Sequence, residues 1–128
     1  MKSIFTDNQI FHNRAVNDTC DKLYNHCIEH FGYFPLSICG SVSRALQGED
    51  VVPKDLDFLT DSEFTFSTLQ LFVEEWFPNH EITHSPSRII IHLPVAVIEI
   101  WDGKDKHYTS QHHHCGIPYV VSKRTKKV

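Results

Sequence analysis

Residues 38–60 read ICGSVSRALQGEDVVPKDLDFLT, and the end of this stretch places two carboxylates one residue apart in an otherwise apolar run. The run 55–60 predicts a β-strand, because acidic and apolar residues alternate in it. Side chains of a strand alternate between its faces, so Asp55 and Asp57 are expected on the same face. Like charges side by side repel each other and are costly to remove from water. The pair therefore predicts a neutralising partner, and a divalent metal ion is the candidate.

The residues before this pair predict a strand, a tight turn and a short helix. Residues 36–39 have the composition of a buried strand, Gly40 and Ser41 form the turn, and the helix after it ends at Gly48. A glycine at the start of a helix lets backbone amides approach a phosphate, and Ser41 would add a hydroxyl donor. The unit predicts a place where a phosphate group could bind.

The flanking elements follow from their hydrophobic periods. Apolar residues spaced by three to four predict amphipathic helices, and β-branched runs on either side of a proline predict a hairpin or two successive strands. The helices are expected over 15–31 and 64–77, and the strands over 88–93 and 95–101.

A third carboxylate, Glu99, lies in the last of these strands. Because side chains alternate between the faces of a strand, Glu99 shares its face with residues that are otherwise apolar. Two interpretations stay open: Glu99 completes a site with the two aspartates, or it is a structural glutamate paired with an arginine such as Arg88.

The order of these features resembles the nucleotidyltransferase superfamily of DNA polymerase β. The stretch PKDLDFLT after GSVSRALQG is most similar to the head domain of the tRNA CCA-adding enzymes and bacterial poly(A) polymerases. In that head domain a glycine pair, an arginine, a closing glycine, an Asp-x-Asp pair and a threonine follow one another. The residues in comparable places here are Gly40, Arg44, Gly48, Asp55, Asp57 and Thr60.

The resemblance implies an α+β chain with the minimal nucleotidyltransferase fold, a mixed β-sheet backed by helices. The implied reaction transfers a nucleoside monophosphate from an NTP, ATP among them, to an acceptor hydroxyl. Asp55, Asp57 and Glu99 would be the catalytic carboxylates and would bind Mg²⁺ or Mn²⁺, since hard oxygen ligands suit these ions. Gly40, Ser41 and Arg44 would bind the nucleotide; Arg44 has a second interpretation as a contact at the sheet edge.

Two departures from the pattern keep a second function open. Ser41 replaces the second glycine, and Ala45 stands where an aspartate is expected. A catalytically silent module that binds a nucleotide or a partner protein is the alternative, and a plain structural domain with surface acids is the third possibility. For an active enzyme the acceptor is left open among RNA, tRNA, a protein and a small molecule, and the oligomeric state is not indicated.

Composition sets the wider limits. The chain has 128 residues, is 41% hydrophobic and 22% charged, and carries a net charge of −4, which predicts one globular domain over 1–128. Its N-terminus has no apolar run of signal-peptide length and the four cysteines form no CxxC pair, so we expect a cytoplasmic protein with reduced thiols. No run is long enough for a membrane span.

Two polar segments near the C-terminus have more than one interpretation. The run 123–127 holds four cations, which predicts either an RNA contact or a frayed end. The run HHHC at 112–115 contains metal-ligand residue types, but adjacent ligands rarely complete a tetrahedral zinc site. A polar loop, in one version facing the active site, is therefore favoured over a structural zinc site.

Overall fold

The structure is a computed structural model that describes residues 10–103 and 108–122. All the strands in these ranges belong to one mixed sheet, in the order β3-β4-β5-β2-β1-β7-β6. A mixed sheet accompanied by three helices agrees with the α+β class expected from the sequence. The elements are α1 (Arg14–Phe31), β1 (Leu36–Cys39), α2 (Gly40–Leu46), β2 (Leu56–Thr60), α3 (Glu63–Trp76), β3 (Ile82–Ser85), β4 (Arg88–His92), β5 (Val97–Trp101), β6 (Tyr108–His114) and β7 (Ile117–Ser122).

The centre of the sheet brings together strands that are far apart in sequence. Strand β2 pairs with β1 in antiparallel orientation and with β5 in parallel orientation. Strand β4 pairs with β5 as an antiparallel hairpin, as the two apolar runs predicted. The strands that carry the predicted acids are therefore direct neighbours in the sheet.

One face of the sheet packs against α1 and α3. The side chains of β2 and β5 that point to this face are fully buried, and they belong to one core cluster with the buried residues of both helices. The two helices also contact each other, since the His26 ring stacks on Trp76 with centroids 4.9 Å apart. The sheet residues buried in this way are Leu56, Phe58, Ile98 and Ile100.

Capping residues set the ends of the two long helices. The Asn13 side chain accepts hydrogen bonds from the backbone N–H groups of Ala15 and Val16 at the start of α1, and Gly32 ends this helix, as predicted. The Ser62 side chain caps α3 in the same way. Such caps satisfy backbone groups that the helix itself leaves without partners.

Several predicted elements differ from the observed ones. Helix α2 begins at Gly40 and ends at Leu46, whereas the sequence predicted a turn followed by a helix to Gly48. Strand β2 begins at Leu56, so Asp55 lies in the bend before it. The sequence did not predict β3, β6 or β7.

The prediction of a polar loop over residues 112–115 is wrong. His112, His113 and His114 lie in β6, which pairs with β7, and only Cys115 belongs to the turn between these strands. Strand β6 is at the edge of the sheet, where backbone hydrogen bonds to a single neighbour form without an apolar pattern in the sequence.

The thiols and the helix lengths bear on two further expectations. Burial raises the pKa of the Cys20 thiol and raises that of Cys27 to about 12, so both remain protonated at neutral pH. No helix of the described ranges is long and apolar enough to cross a membrane. The basic run 123–127 lies outside the described residues.

Candidate functional site

Three carboxylates line one cleft on the sheet face opposite α1 and α3. The cleft has a volume of about 590 Å³, and Asp55, Asp57 and Glu99 all contribute to its wall. Asp57 on β2 and Glu99 on β5 are paired residues of neighbouring parallel strands. Paired residues of a sheet project to the same side, so the fold places these two acids side by side.

Asp55 enters the cleft from the bend that precedes β2. Its Oδ1 accepts a hydrogen bond of 3.2 Å from the backbone N–H of Val97, the first residue of β5. This contact fixes the carboxylate at the point where the two central strands begin. Asp55 therefore joins the other acids although it is not itself in the strand.

Asp57 lies in an environment that disfavours its ionised form. Burial raises its pKa to about 6, and the neighbouring charges of Glu99 and Asp55 contribute in the same direction. A hydrogen bond from Trp101 and the charge of Arg88 act against this rise. Desolvation and like charge both disfavour an ionised carboxylate, so Asp57 is poised to accept a proton or a cation near neutral pH.

Arg88 on β4 supplies positive charge beside the cleft. Its Nη1 donates to Glu99 Oε1 at 3.2 Å, and the Glu99 side chain is only 15% exposed. The guanidinium also lies 4.8 Å from the ring centroid of Trp101, a cation–π distance. Trp101 in turn lies with its Nε1 3.5 Å from Asp57 Oδ1, so the four side chains form one continuous network. The ion pair between Arg88 and Glu99 that the sequence suggested is thus present.

Gly40 is in close contact with Asp57. A Cβ atom placed on Gly40 would lie 2.5 Å from Asp57 Oδ2, and the glycine has a φ of +67°. Both the space and the backbone conformation at this position therefore require a residue without a side chain. Since Gly40 also lines the cleft, the start of α2 and the acid pair belong to the same site.

Two of the predicted site residues are not part of the cleft wall. Ser41 lies in the first turn of α2, and neither it nor Arg44 is among the described residues that line the cleft. The Arg44 Nε donates to Glu49 Oε1 at 3.1 Å, and both side chains are about half exposed. Their assignment to nucleotide binding stays a prediction.

The sequence did not single out three of the residues that line the cleft. Cys39 pairs with Asp57 across β1 and β2, and Leu59 and Trp101 extend the wall beyond the acids. Strand alternation could have predicted two of them, because Leu59 is two residues from Asp57 and Trp101 is two residues from Glu99, and residues two apart in a strand share a face. These residues give the acidic cleft an apolar and aromatic end.

The donor set of the cleft can be compared with the needs of a divalent metal. Carboxylate oxygens are the ligands that Mg²⁺ and Mn²⁺ prefer, and the pKa of Asp57 is raised first by burial and then by the neighbouring acids. Across residues 10–103 and 108–122, however, no group of three or more His, Cys, Asp or Glu side chains is arranged to hold a metal ion. The donors fit in chemistry, but Glu99 is engaged by Arg88 and would have to release it.

Comparison with known proteins gives no match among protein-family models, curated proteins or solved structures. The functional argument therefore depends on the chemistry of the cleft.

Proposed function

We propose that this protein is a metal-dependent nucleotidyltransferase that transfers a nucleoside monophosphate from an NTP to an acceptor hydroxyl, with pyrophosphate as the leaving group. The observation that carries this proposal is the convergence of Asp55, Asp57 and Glu99 on one cleft. The order of β1, α2 and β2, followed by an acid on the strand parallel to β2, supports assignment to the minimal nucleotidyltransferase fold.

All three acids would bind metal ions in this proposal, and Glu99 would have a second role. Asp55, Asp57 and Glu99 would hold Mg²⁺ or Mn²⁺. The chemistry supplied by two such ions is stabilisation of the attacking and leaving oxygens of an in-line displacement. Glu99 would also orient the acceptor by accepting a hydrogen bond from its hydroxyl.

Residues around the acids would bind and orient the nucleotide. Gly40 lets the start of α2 approach Asp57 closely, because a side chain there would collide with the carboxylate. Trp101 lines the apolar end of the cleft, and the face of its ring that Arg88 does not cover is a candidate surface for stacking a nucleobase. Ser41 and Arg44 remain candidates for phosphate contacts, and Arg44 would first have to leave Glu49.

A catalytically silent nucleotide-binding or partner-binding module is the second candidate. The observation that favours it is the contact of Arg88 with Glu99, which neutralises one of the three acids without a metal ion. In this case the cleft would bind an NTP or a partner but would not transfer a nucleotide.

Incubation with each α-³²P-labelled NTP, Mg²⁺ or Mn²⁺ and a mixed RNA and protein extract tests the proposal. We expect label in one macromolecular fraction with the wild type and none with Asp57→Asn. Asp21→Asn, an exposed substitution on α1, is the matched control and should label as the wild type does. If no fraction is labelled while NTP still raises the melting temperature of the folded protein, the silent module is the correct function.

A further inference from the structure

Strand β6 forms one edge of the sheet and carries three consecutive histidines. It pairs with β7, the strand beside it in the sheet. His112 and His113 are exposed, and His114 is half-buried. The proposed reaction uses none of these side chains, because the strands that carry Asp57 and Glu99 are separated from β6 by β1 and β7. The histidine run therefore calls for an explanation of its own.

Strand geometry places two of the three imidazoles on one face of the sheet. Side chains alternate along a strand, so His112 and His114 share a face and His113 points to the other. His112 is paired with Tyr119 of β7, which is paired with Ile38 of β1. Ile38 belongs to the core on the side that α1 and α3 cover. The histidine pair is therefore on the face opposite the carboxylate cleft.

Two imidazoles at this spacing can bind the same transition-metal ion. Residues two apart in a strand are separated by about 7 Å, and histidine side chains are long enough to bring ring nitrogens to about 2.0–2.1 Å from one Zn²⁺ between them. Imidazole suits Zn²⁺, whereas Mg²⁺ prefers oxygen ligands. Among residues 10–103 and 108–122 no group of three or more candidate ligands is arranged around a metal position. One chain therefore supplies half of a tetrahedral site.

The backbone of β6 indicates where the other half can come from. His113 is paired with Pro118 of β7, and proline has no N–H to donate. A position opposite proline fits the kind of antiparallel pair that is not hydrogen-bonded, in which the backbone groups of the two residues point away from each other. The N–H and C=O of His113 then point to the open edge of the sheet, where a further strand can pair with them.

We propose that two copies of this chain pair in antiparallel orientation along their β6 strands and bind one Zn²⁺ between them through His112 and His114 of each copy. A two-fold axis beside His113 sets His112 of each copy opposite His114 of the other. Opposite residues of an antiparallel pair share a face, with Cβ atoms about 4.5–5.5 Å apart. Four imidazoles thus meet on one face and satisfy the tetrahedral coordination that Zn²⁺ takes.

A second copy fits this edge better than an unrelated strand does. An unrelated strand would satisfy the backbone groups at the edge but would leave the metal with two protein ligands. A second copy brings the same two ligands, and the two-fold axis puts them in register with the first pair. The site is therefore incomplete without the second copy.

Sedimentation velocity of the tag-free protein tests the dimer. We expect a monomer in EDTA and in Mg²⁺, and a dimer when Zn²⁺ is added at half an equivalent per chain. His112→Ala and His114→Ala should each lose the zinc-dependent dimer. His113→Ala, on the other face of the same strand, is the matched control and should dimerise as the wild type does. Asp57→Asn should also dimerise fully, because the carboxylate cleft is not part of this site.

The His112 variant decides the result if the other variant folds poorly. His114 is half-buried, so thermal unfolding in EDTA compares the stability of both variants with that of the wild type. His112 is exposed, and its replacement should leave the melting temperature in EDTA unchanged. A zinc-dependent dimer that persists in His112→Ala would overturn the proposal.

Hydrogen exchange identifies the interface. Zn²⁺ should increase the protection of backbone amides in β6 of the wild type, and should do so neither in His112→Ala nor in β3 at the opposite edge. Absence of a dimer with Zn²⁺, an equally strong dimer in EDTA, or a dimer without added protection of β6 would each overturn the proposal. None of these measurements depends on transfer from an NTP, so their failure would leave the proposed function intact.

Discussion

Asp57 and Glu99 are paired residues on neighbouring parallel strands, yet only Glu99 has an ion-pair contact with Arg88. Arg88 belongs to β4, which is separated from β2 and Asp57 by the strand that carries Glu99. Asp57 has no such ion pair among the described residues, and burial together with the charge of Glu99 raises its pKa to about 6. The fold holds an ionised aspartate where a neutral side chain would be more stable, which is typical of a functional residue.

Replacement of Asp57 by asparagine should stabilise the metal-free protein and abolish transfer. Burial and the charge of Glu99 raise the pKa of the Asp57 carboxyl, which means that its ionised form destabilises the folded protein at pH 7. The asparagine amide carries no charge and so removes this cost. Because the carboxylate is partly screened by solvent, we expect a gain of about 1 kcal/mol, or about 4 °C in Tm. Thermal unfolding in EDTA measures the gain, with Asp21→Asn as the control. A lower Tm for Asp57→Asn would show that the carboxylate is structural.

The stability difference between wild type and Asp57→Asn should depend on pH. The folded pKa of Asp57, about 6, lies above its usual value near 4, so the folded state binds a proton more tightly than the unfolded state. Between these values the wild type gains stability relative to the variant as the pH falls. The Tm advantage of Asp57→Asn should be largest at pH 7 and vanish below about pH 4. An advantage that stays constant from pH 4 to 7 would contradict the burial of a charged Asp57.

The sequence was sufficient to predict the elements that carry the acids. Helical periods and caps located α1 and α3 to within one residue, and the two β-branched runs became the hairpin of β4 and β5. These elements have strong local signals, since their apolar residues repeat at the period of the structure they form. The convergence of Asp55, Asp57 and Glu99 followed from the resemblance rather than from periodicity.

Long-range pairing explains what the sequence could not predict. Strand β3 (ITHS) and strand β6 (YTSQHHH) contain few apolar residues, and both lie at the edges of the sheet. Their formation depends on backbone hydrogen bonds to a partner strand, which leave little trace in composition. The sequence also did not predict a cavity of about 520 Å³ that Lys54 lines. Its other lining residues His12, Val52 and Val95 are far apart in the sequence and are brought together only by the fold.

Two glycine substitutions should separate backbone strain from the contact with Asp57. Gly40 and Gly48 both have positive φ, +67° and +94°, but only at Gly40 would a Cβ collide with another residue. We expect Gly48→Ala to cost about 1–2 kcal/mol through left-handed strain alone. Gly40→Ala should cost about 1–3 kcal/mol more, the usual penalty of overpacking. Urea unfolding measures both free energies.

A double-mutant cycle identifies the source of the additional cost at Gly40. If the collision with Asp57 is responsible, Asp57→Ala should remove most of the excess in the Gly40→Ala background, and Gly48→Ala should show no such coupling. Equal costs for the two glycine variants, or an excess that persists without the Asp57 side chain, would mean that the two residues do not determine each other's position.

Arg88→Gln should strengthen divalent metal binding while it weakens the metal-free protein. The guanidinium neutralises Glu99 at 3.2 Å, so its loss leaves three acids of the cleft without this cation and raises their attraction for Mn²⁺. We expect Mn²⁺ affinity, measured by isothermal titration, to rise about fivefold, which corresponds to about 1 kcal/mol. Glu99→Gln should change the affinity in the opposite direction, since it removes a proposed ligand.

Arg44→Gln is the matched control for this substitution. Its ion pair with Glu49 has a similar length, 3.1 Å, but both side chains are about half exposed, so the change should alter stability and Mn²⁺ affinity little. A wild type that binds no Mn²⁺, together with an Arg88→Gln variant that does, would indicate that Arg88 has taken the place of the metal and would favour the silent module. Loss of Mn²⁺ binding in Arg88→Gln would contradict the competition between arginine and metal. It would mean that Arg88 holds the acids in position for the metal instead of competing with it.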